Sequence, residues 1–318
     1  MATKQRLLTI DEAPVVQRDT FVLTGYRPPY QPWRFYLMSI FSVHNETVNI
    51  WTQLLPCLYV LYMLKTFCEE TDVTGDVSSR LLLLLAVSNF TAQFLSACAH
   101  LLHSRSTAAY YVGFMMDYLG IAFFASSCGT VQYFLSSEAA FFHSAHPWFP
   151  WVCVLVTCCY FAANSYSHIT YKKGDVERVT IQAVSFTTTY LWVTSPIMHR
   201  VYSDIYSGNA DDVTWMHARH ILLVAMAGFF HASEVPQRFL PGSCDVIGHG
   251  HQIWHVLTSA SFVTQLQASF TDLQNRRHLG LVRIRPTDLS LTAYLVVMFT
   301  SYGYLTAIFV RKALSKAM

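Results

Sequence analysis

Eight stretches of this chain stay apolar for long enough to cross a bilayer: roughly 49–68, 80–102, 108–134, 147–166, 178–198, 217–233, 248–267 and 288–310. About 20 helical residues span the hydrocarbon core. The runs are continuous rather than alternating, and a backbone in lipid must satisfy its own hydrogen bonds, so helices are expected rather than barrel strands. The fold class that follows is an all-α integral membrane protein, a bundle of about eight transmembrane helices with a seven-helix core and one further C-terminal helix. Residues 1–48 read as an N-terminal juxtamembrane segment, 49–310 as the transmembrane helical domain and 311–318 as a short basic tail. The sixth and seventh runs are the least apolar, because His217, His220, His231, His249, His251 and His255 dilute them.

Composition agrees. Apolar residues make up 53% of the 318 and charged residues 13%, against about 45–50% and about 25% in an ordinary soluble domain. The net charge of +2 forms no basic stripe, so nucleic acid is excluded as a partner and the lipid bilayer is the expected surroundings. The eight Cys lie in or near apolar runs without a CxxC pair, and read as small buried hydrophobes rather than a disulfide scaffold. The polar N-terminus lacks the apolar core of a cleavable signal, so the first span directs insertion.

With eight spans, both termini share one side with the loops after spans two, four and six. That side carries 13 of the 21 Lys and Arg, which favours cytosolic termini. Arg276, Arg277, Arg283 and Arg285, crowded before the last span, oppose it.

Ionisable groups inside a span are costly and read first as functional. Asp117, in GFMMDYLGIAFF, is the clearest. Ser96 and His100 in SACAHLLHS are four apart and share a helix face, as do His251 and His255 in GHGHQIWHVL. Parity brings His100, Asp117, His251 and His255 to one membrane face. Two His at i, i+4 with a third from another helix form the ligand set of an open zinc site whose fourth position is left for water. The Glu of a HExxH protease is missing between the pair, so a base must come from elsewhere, and Asp117 fits. Glu46 and Asn45, near the same face, are second-shell candidates. His103, His249, His231 and His220 read as interfacial or structural, and Tyr26, Arg27, Pro28, Pro29, Trp33 and Trp51 as a headgroup-level anchor.

The stretch TGYRPPYQPWRFYLMSIFSVHNETVNIWTQLLP, with SACAHLLHS, MDYLG and VPQRFLPGSCDVIGHGHQIWH, resembles the progestin and adipoQ receptor family from about Asp11 to about Val256. NETVNIWT, the PG-x-CD segment and the extra last span look most like its membrane progestin receptor branch. The resemblance implies a zinc near the cytosolic face held by His100, His251 and His255, with Asp117 beside a water and Ser96 matching the motif's Ser. Three positions depart from the family pattern: Gly250 where Ser is usual, Gln237 where Glu is common, and Gln53 in place of a His.

Three functions are open at this point. A plasma-membrane receptor would take a steroid (progestin-like) or related lipid between its helices and signal to a cytosolic partner such as a G protein, with zinc clasping spans two and seven. A zinc-dependent, ceramidase-like lipid amide hydrolase would use Asp117 as base and Ser96 as donor to the developing oxyanion, both catalytic. A proton or ion pathway fits the cost of Asp117 but lacks acidic residues spaced through the bilayer.

Overall fold

The computed structural model describes residues 6–72, 75–145, 147–278 and 287–318. A six-residue helix, α1 (Trp33–Met38), precedes α2 (Thr47–Glu70), α3 (Val77–Leu102) and α4 (Thr107–Val131), the last ending in a π turn over Gln132–Ser136. A short α5 (Ala139–Ala145) leads to α6 (Phe149–Thr170), α7 (Val176–Tyr206), α8 (Asp212–Ser233), α9 (Gly250–His278) and α10 (Asp288–Ala317). The eight long helices fall on the eight apolar runs, so the membrane bundle read from hydropathy is the fold. Arg283 and Arg285 lie outside the described residues.

Six of the eight, α2, α3, α4, α6, α8 and α10, are apolar and long enough to cross a membrane by composition alone. The exceptions are α7 and α9, whereas the sequence pointed to the sixth and seventh runs, which are α8 and α9. Each exception hides its polarity. In α7 several hydroxyls bond back to the helix itself, Thr194 Oγ1 to the Tyr190 carbonyl at 2.5 Å and Ser195 Oγ to Trp192 at 2.8 Å. In α9 the polar residues face inward: His255, Thr258, Ser261, Gln265, Ser269 and Asp272 are all buried. Hydropathy averages around a helix, so it discounts a helix whose polar stripe is covered by neighbours.

The packing order is α2 on α3, α3 on α4, α8 on α9, with α9 also against α2 and α3, and α6 joining α4 to α7. The last helix docks outside α4 and α6 through two tyrosines. Tyr302 Oη donates to the Ala122 carbonyl at 2.9 Å and meets Thr157 Oγ1 at 2.7 Å. Tyr294 Oη is bonded to Ser126 Oγ and Thr130 Oγ1 at 2.8 and 2.9 Å. In lipid, where helices gain little from the hydrophobic effect against one another, such bonds fix the docking site.

Both chain ends meet one face of the bundle. Lys316, near the end of α10, bonds the Ile169 carbonyl at the end of α6, and Asp19 pairs with Lys173 between α6 and α7 at 2.5 Å. A tight turn, His103–Arg105 followed by the Ser106 cap, whose Oγ accepts from Ala109 N at 3.1 Å, reverses α3 into α4 on that face. The cysteines are all free; Cys57, Cys128 and Cys153 are buried, but Cys68 and Cys159 face outward. The reading of all eight as buried is corrected for those two, which lie on outward-facing sides of α2 and α6.

Candidate metal centre

The end of α3 presents His100, and the first two turns of α9 present His251 and His255. Their Nε2 atoms form a triangle: 3.0 Å between His255 and His100, 3.1 Å between His255 and His251, 3.2 Å between His251 and His100. Ligands about 2.0–2.1 Å from one tetrahedral zinc stand about 3.3 Å apart, so the triangle is close to zinc-sized.

The protonation pattern also fits. His100 turns its other nitrogen to Glu46, Nδ1 to Oε2 at 2.8 Å, and a carboxylate can only accept, so Nδ1 carries the proton and Nε2 offers a lone pair. His251 Nδ1 stands 3.4 Å from His231 Nδ1 of α8. Converging imidazole lone pairs repel unless a cation shares them, and this donor set suits zinc.

Glu46, just before α2, is the hub behind the triangle. Its Oε2 also accepts from Asn49 Nδ2 at 2.6 Å, and its Oε1 lies 3.2 Å from His103 Nε2. Burial works against its ionisation, but the imidazoles of His103 and His100 outweigh this and hold the carboxyl well below the usual carboxylate range. Its own N–H donates to His44 Nδ1 at 3.1 Å. Asn45 enters through its backbone instead, its N–H donating to the Gly25 carbonyl at 3.1 Å.

Asp117 and Ser96 stand deeper. They line one cavity of about 90 Å³ with His255, Phe124, Trp254 and Phe262, enclosed by α2, α3, α4, α6, α7, α8 and α9. Ser96 and Asp117 are both buried in its wall, one on α3 and the other on α4. Among the described residues, two clusters have ligand atoms within 4.8 Å of one another, His100 with His251 and His255, and Glu46 with His100 and His103; Asp117 belongs to neither.

Several neighbours of the site went unread in the sequence. Asn49 lies three residues after Glu46 on the first turn of α2, a spacing that periodicity would have exposed. His103 and His231, read as interfacial or structural, each abut the centre. Arg27 and Tyr26 are 1% and 3% exposed, so they do not anchor to headgroups; Tyr30 and Trp33 of the same stretch are the exposed ones. Arg178, in the first turn of α7, is buried and donates to His168 Nδ1 at 2.7 Å. At the opposite face the buried Asp272 joins Arg200 at 2.6 Å and His217 at 2.9 Å, an acidic group that the span-by-span reading had passed over.

Gly250 starts α9 where nothing larger fits, since a Cβ there would stand 2.7 Å from the Phe230 and Val235 carbonyls. Its N–H donates to Gln237 Oε1 at 2.6 Å. Two of the three departures from the family pattern therefore touch each other.

Comparison with known proteins gives a consistent picture. Residues 41–266 match the family described as haemolysin-III related. The chain is 33% identical to human membrane progestin receptor beta over 95% of its own length and 87% of the relative's. It is 32% identical to membrane progestin receptor alpha of Cynoscion nebulosus, covering 95% and 86%. With mouse membrane progestin receptor beta the identity is 34%, covering 87% and 80%.

Proposed function

Because the chain belongs to the haemolysin-III-related, or progestin and adipoQ receptor, family, and its relatives are named membrane progestin receptors, we propose that it is a multi-pass plasma-membrane receptor for a steroid or related lipid. Its termini face the cytosol, and a cytosolic partner such as a G protein reads the state of the bundle. The observation that carries this reading is the cavity, with apolar walls of Phe124, Phe262 and Val224 and a few polar groups, among them Asp117, Ser96 and His255, on its lining. A small-molecule site has this make-up.

At about 90 Å³ the cavity is far smaller than the roughly 300–1,000 Å³ of a typical ligand pocket. A four-ring ligand therefore enters by turning aside lining side chains such as Phe186 and Trp254. Such repacking is a shift between two states of the bundle, which is what a receptor requires. Thermal stabilisation of detergent-purified protein by progesterone, lost when Ala125→Leu fills the cavity, supports this reading. No stabilisation by any steroid or lipid in folded wild type overturns it.

In the same reading His100, His251 and His255 hold a zinc, which ties α3 to α9 and, when bound, supplies Lewis acidity at the mouth of the cavity. Glu46 fixes the ring of His100, and Asn49 steadies Glu46.

The presence of Asp117 and Ser96 on one cavity wall favours a second reading, zinc-dependent hydrolysis of a lipid amide. The cavity takes the acyl chain and excludes water from it. The Asp117 carboxylate accepts a proton at one oxygen, and the Ser96 hydroxyl, on the same cavity wall, donates to a carbonyl oxygen. Release of fatty acid from a short-chain ceramide, abolished by Asp117→Asn, tests it.

A further inference from the structure

The N-terminal segment does more than cover the face where the histidines gather. It is fastened separately to the end of α3 and to the loop that leads into α9, the two helices that carry them. On the α3 side, Arg27 Nη2 donates to the His100 carbonyl at 2.7 Å and to Ser104 Oγ at 3.0 Å, and Nη1 to the Leu101 carbonyl at 2.7 Å and Ser39 Oγ at 2.8 Å. All four acceptors are uncharged, and two are terminal carbonyls of α3, where a helix leaves acceptors unpaired and its dipole favours a cation. Burial lowers the Arg27 pKa to about 10, so the group stays charged at neutral pH.

On the α9 side, Asp245 in the loop before that helix accepts from Leu23 N at 2.9 Å and from Thr24 Oγ1 at 2.6 Å. Gly242 N of the same loop donates to the Phe21 carbonyl at 3.2 Å. Only Gly25 and Tyr26 lie between these two fastenings. A backbone bridge between Leu8 and Tyr26 and the buried Ala13, Val22 and Tyr26 make the segment a small folded unit rather than a loose tail.

We propose that residues 8–45 act as a strap that sets the spacing of α3 and α9, and that Arg27 and Asp245 are positioning residues for the three-histidine centre. This rests on the metal reading above. Neither residue touches the ligand nitrogens; each acts through the backbone that carries them. Lifting the strap separates His100 from His251 and His255, so metal retention reports whether the strap is seated.

The test is zinc release from detergent-purified full-length protein into a fluorescent chelator, well below the melting temperature. Arg27→Lys keeps the charge but loses the planar fork that reaches four acceptors, and Asp245→Ala unfastens the other side. Each is expected to release zinc about tenfold faster than wild type, in the range seen when groups supporting metal ligands are removed. Arg18→Gln removes bonds made only within the strap, to the Ala13 and Asp11 carbonyls, and is expected to release zinc at the wild-type rate. Zinc-loaded wild type and Arg27→Lys releasing at the same rate overturns the inference, as does a lowered melting temperature with unchanged release. Folded wild type that binds no zinc overturns the metal reading and this inference with it.

Discussion

Glu46 holds His100 by a 2.8 Å bond from Nδ1 to Oε2, and that bond decides which nitrogen of His100 faces His251 and His255. A carboxylate that accepts at Nδ1 leaves Nε2 bare, so the ring reaches the centre in the one tautomer able to bind a cation.

Glu46→Gln tests this directly. The amide still bonds the ring but no longer enforces the tautomer or raises its basicity. Zinc affinity is expected to fall about 10- to 100-fold with the fold retained, measured by competition with a chelator of known affinity.

His44 gives the strap an acid limit. Its Nε2 faces the Ser39 carbonyl at 3.1 Å while its Nδ1 accepts the Glu46 N–H at 3.1 Å, so the buried ring is neutral, and a second proton would set donor against donor. Burial first, then the charge of Arg27, lowers its pKa from 6.5 to about 3. The unfolded chain therefore binds the proton first, and stability is whole above about pH 6.5 and falls as pH drops toward 3, by up to about 1.4 kcal/mol per pH unit. In melting temperatures recorded from pH 7 to 4.5, His44→Gln, which keeps one donor and one acceptor without titrating, is expected to flatten the acid limb.

Gly250→Ala introduces a Cβ 2.7 Å from two carbonyls at the start of α9. Overpacking of this kind costs about 1–3 kcal/mol, and the displaced backbone carries His251. A lower melting temperature together with weaker zinc binding is expected; a variant as stable as wild type would show that the α8–α9 loop yields without cost.

If the cavity hydrolyses lipid amides, Asp117→Asn removes the proton acceptor without touching the three histidines. The rate of fatty-acid release is expected to drop at least about 100-fold at unchanged zinc content. An unchanged rate would assign any hydrolysis to another group.

The bundle was legible because eight apolar runs leave a chain little choice, and the histidine set because parity and i, i+4 spacing place residues at a membrane face without tertiary knowledge. What spacing could not show was who stands behind a ligand. Arg27 reads as an interfacial cation in any hydropathy scheme, and only the folded strap shows it capping α3. Asp272 lies beyond the seventh apolar run and drew no reading, since its partners Arg200 and His217 come from two other helices. Likewise α7 and α9 lose hydropathy to groups that the fold covers or bonds back to the helix, which no one-dimensional average separates from groups left in lipid.

Metal content of detergent-purified protein, by mass spectrometry on wild type, His251→Ala and Asp117→Asn, bears on all of this at once. The three-histidine centre requires near one zinc per chain in wild type, its loss in His251→Ala and its retention in Asp117→Asn. Correctly folded wild type without zinc, or a His251→Ala variant that keeps it, would contradict the centre described here.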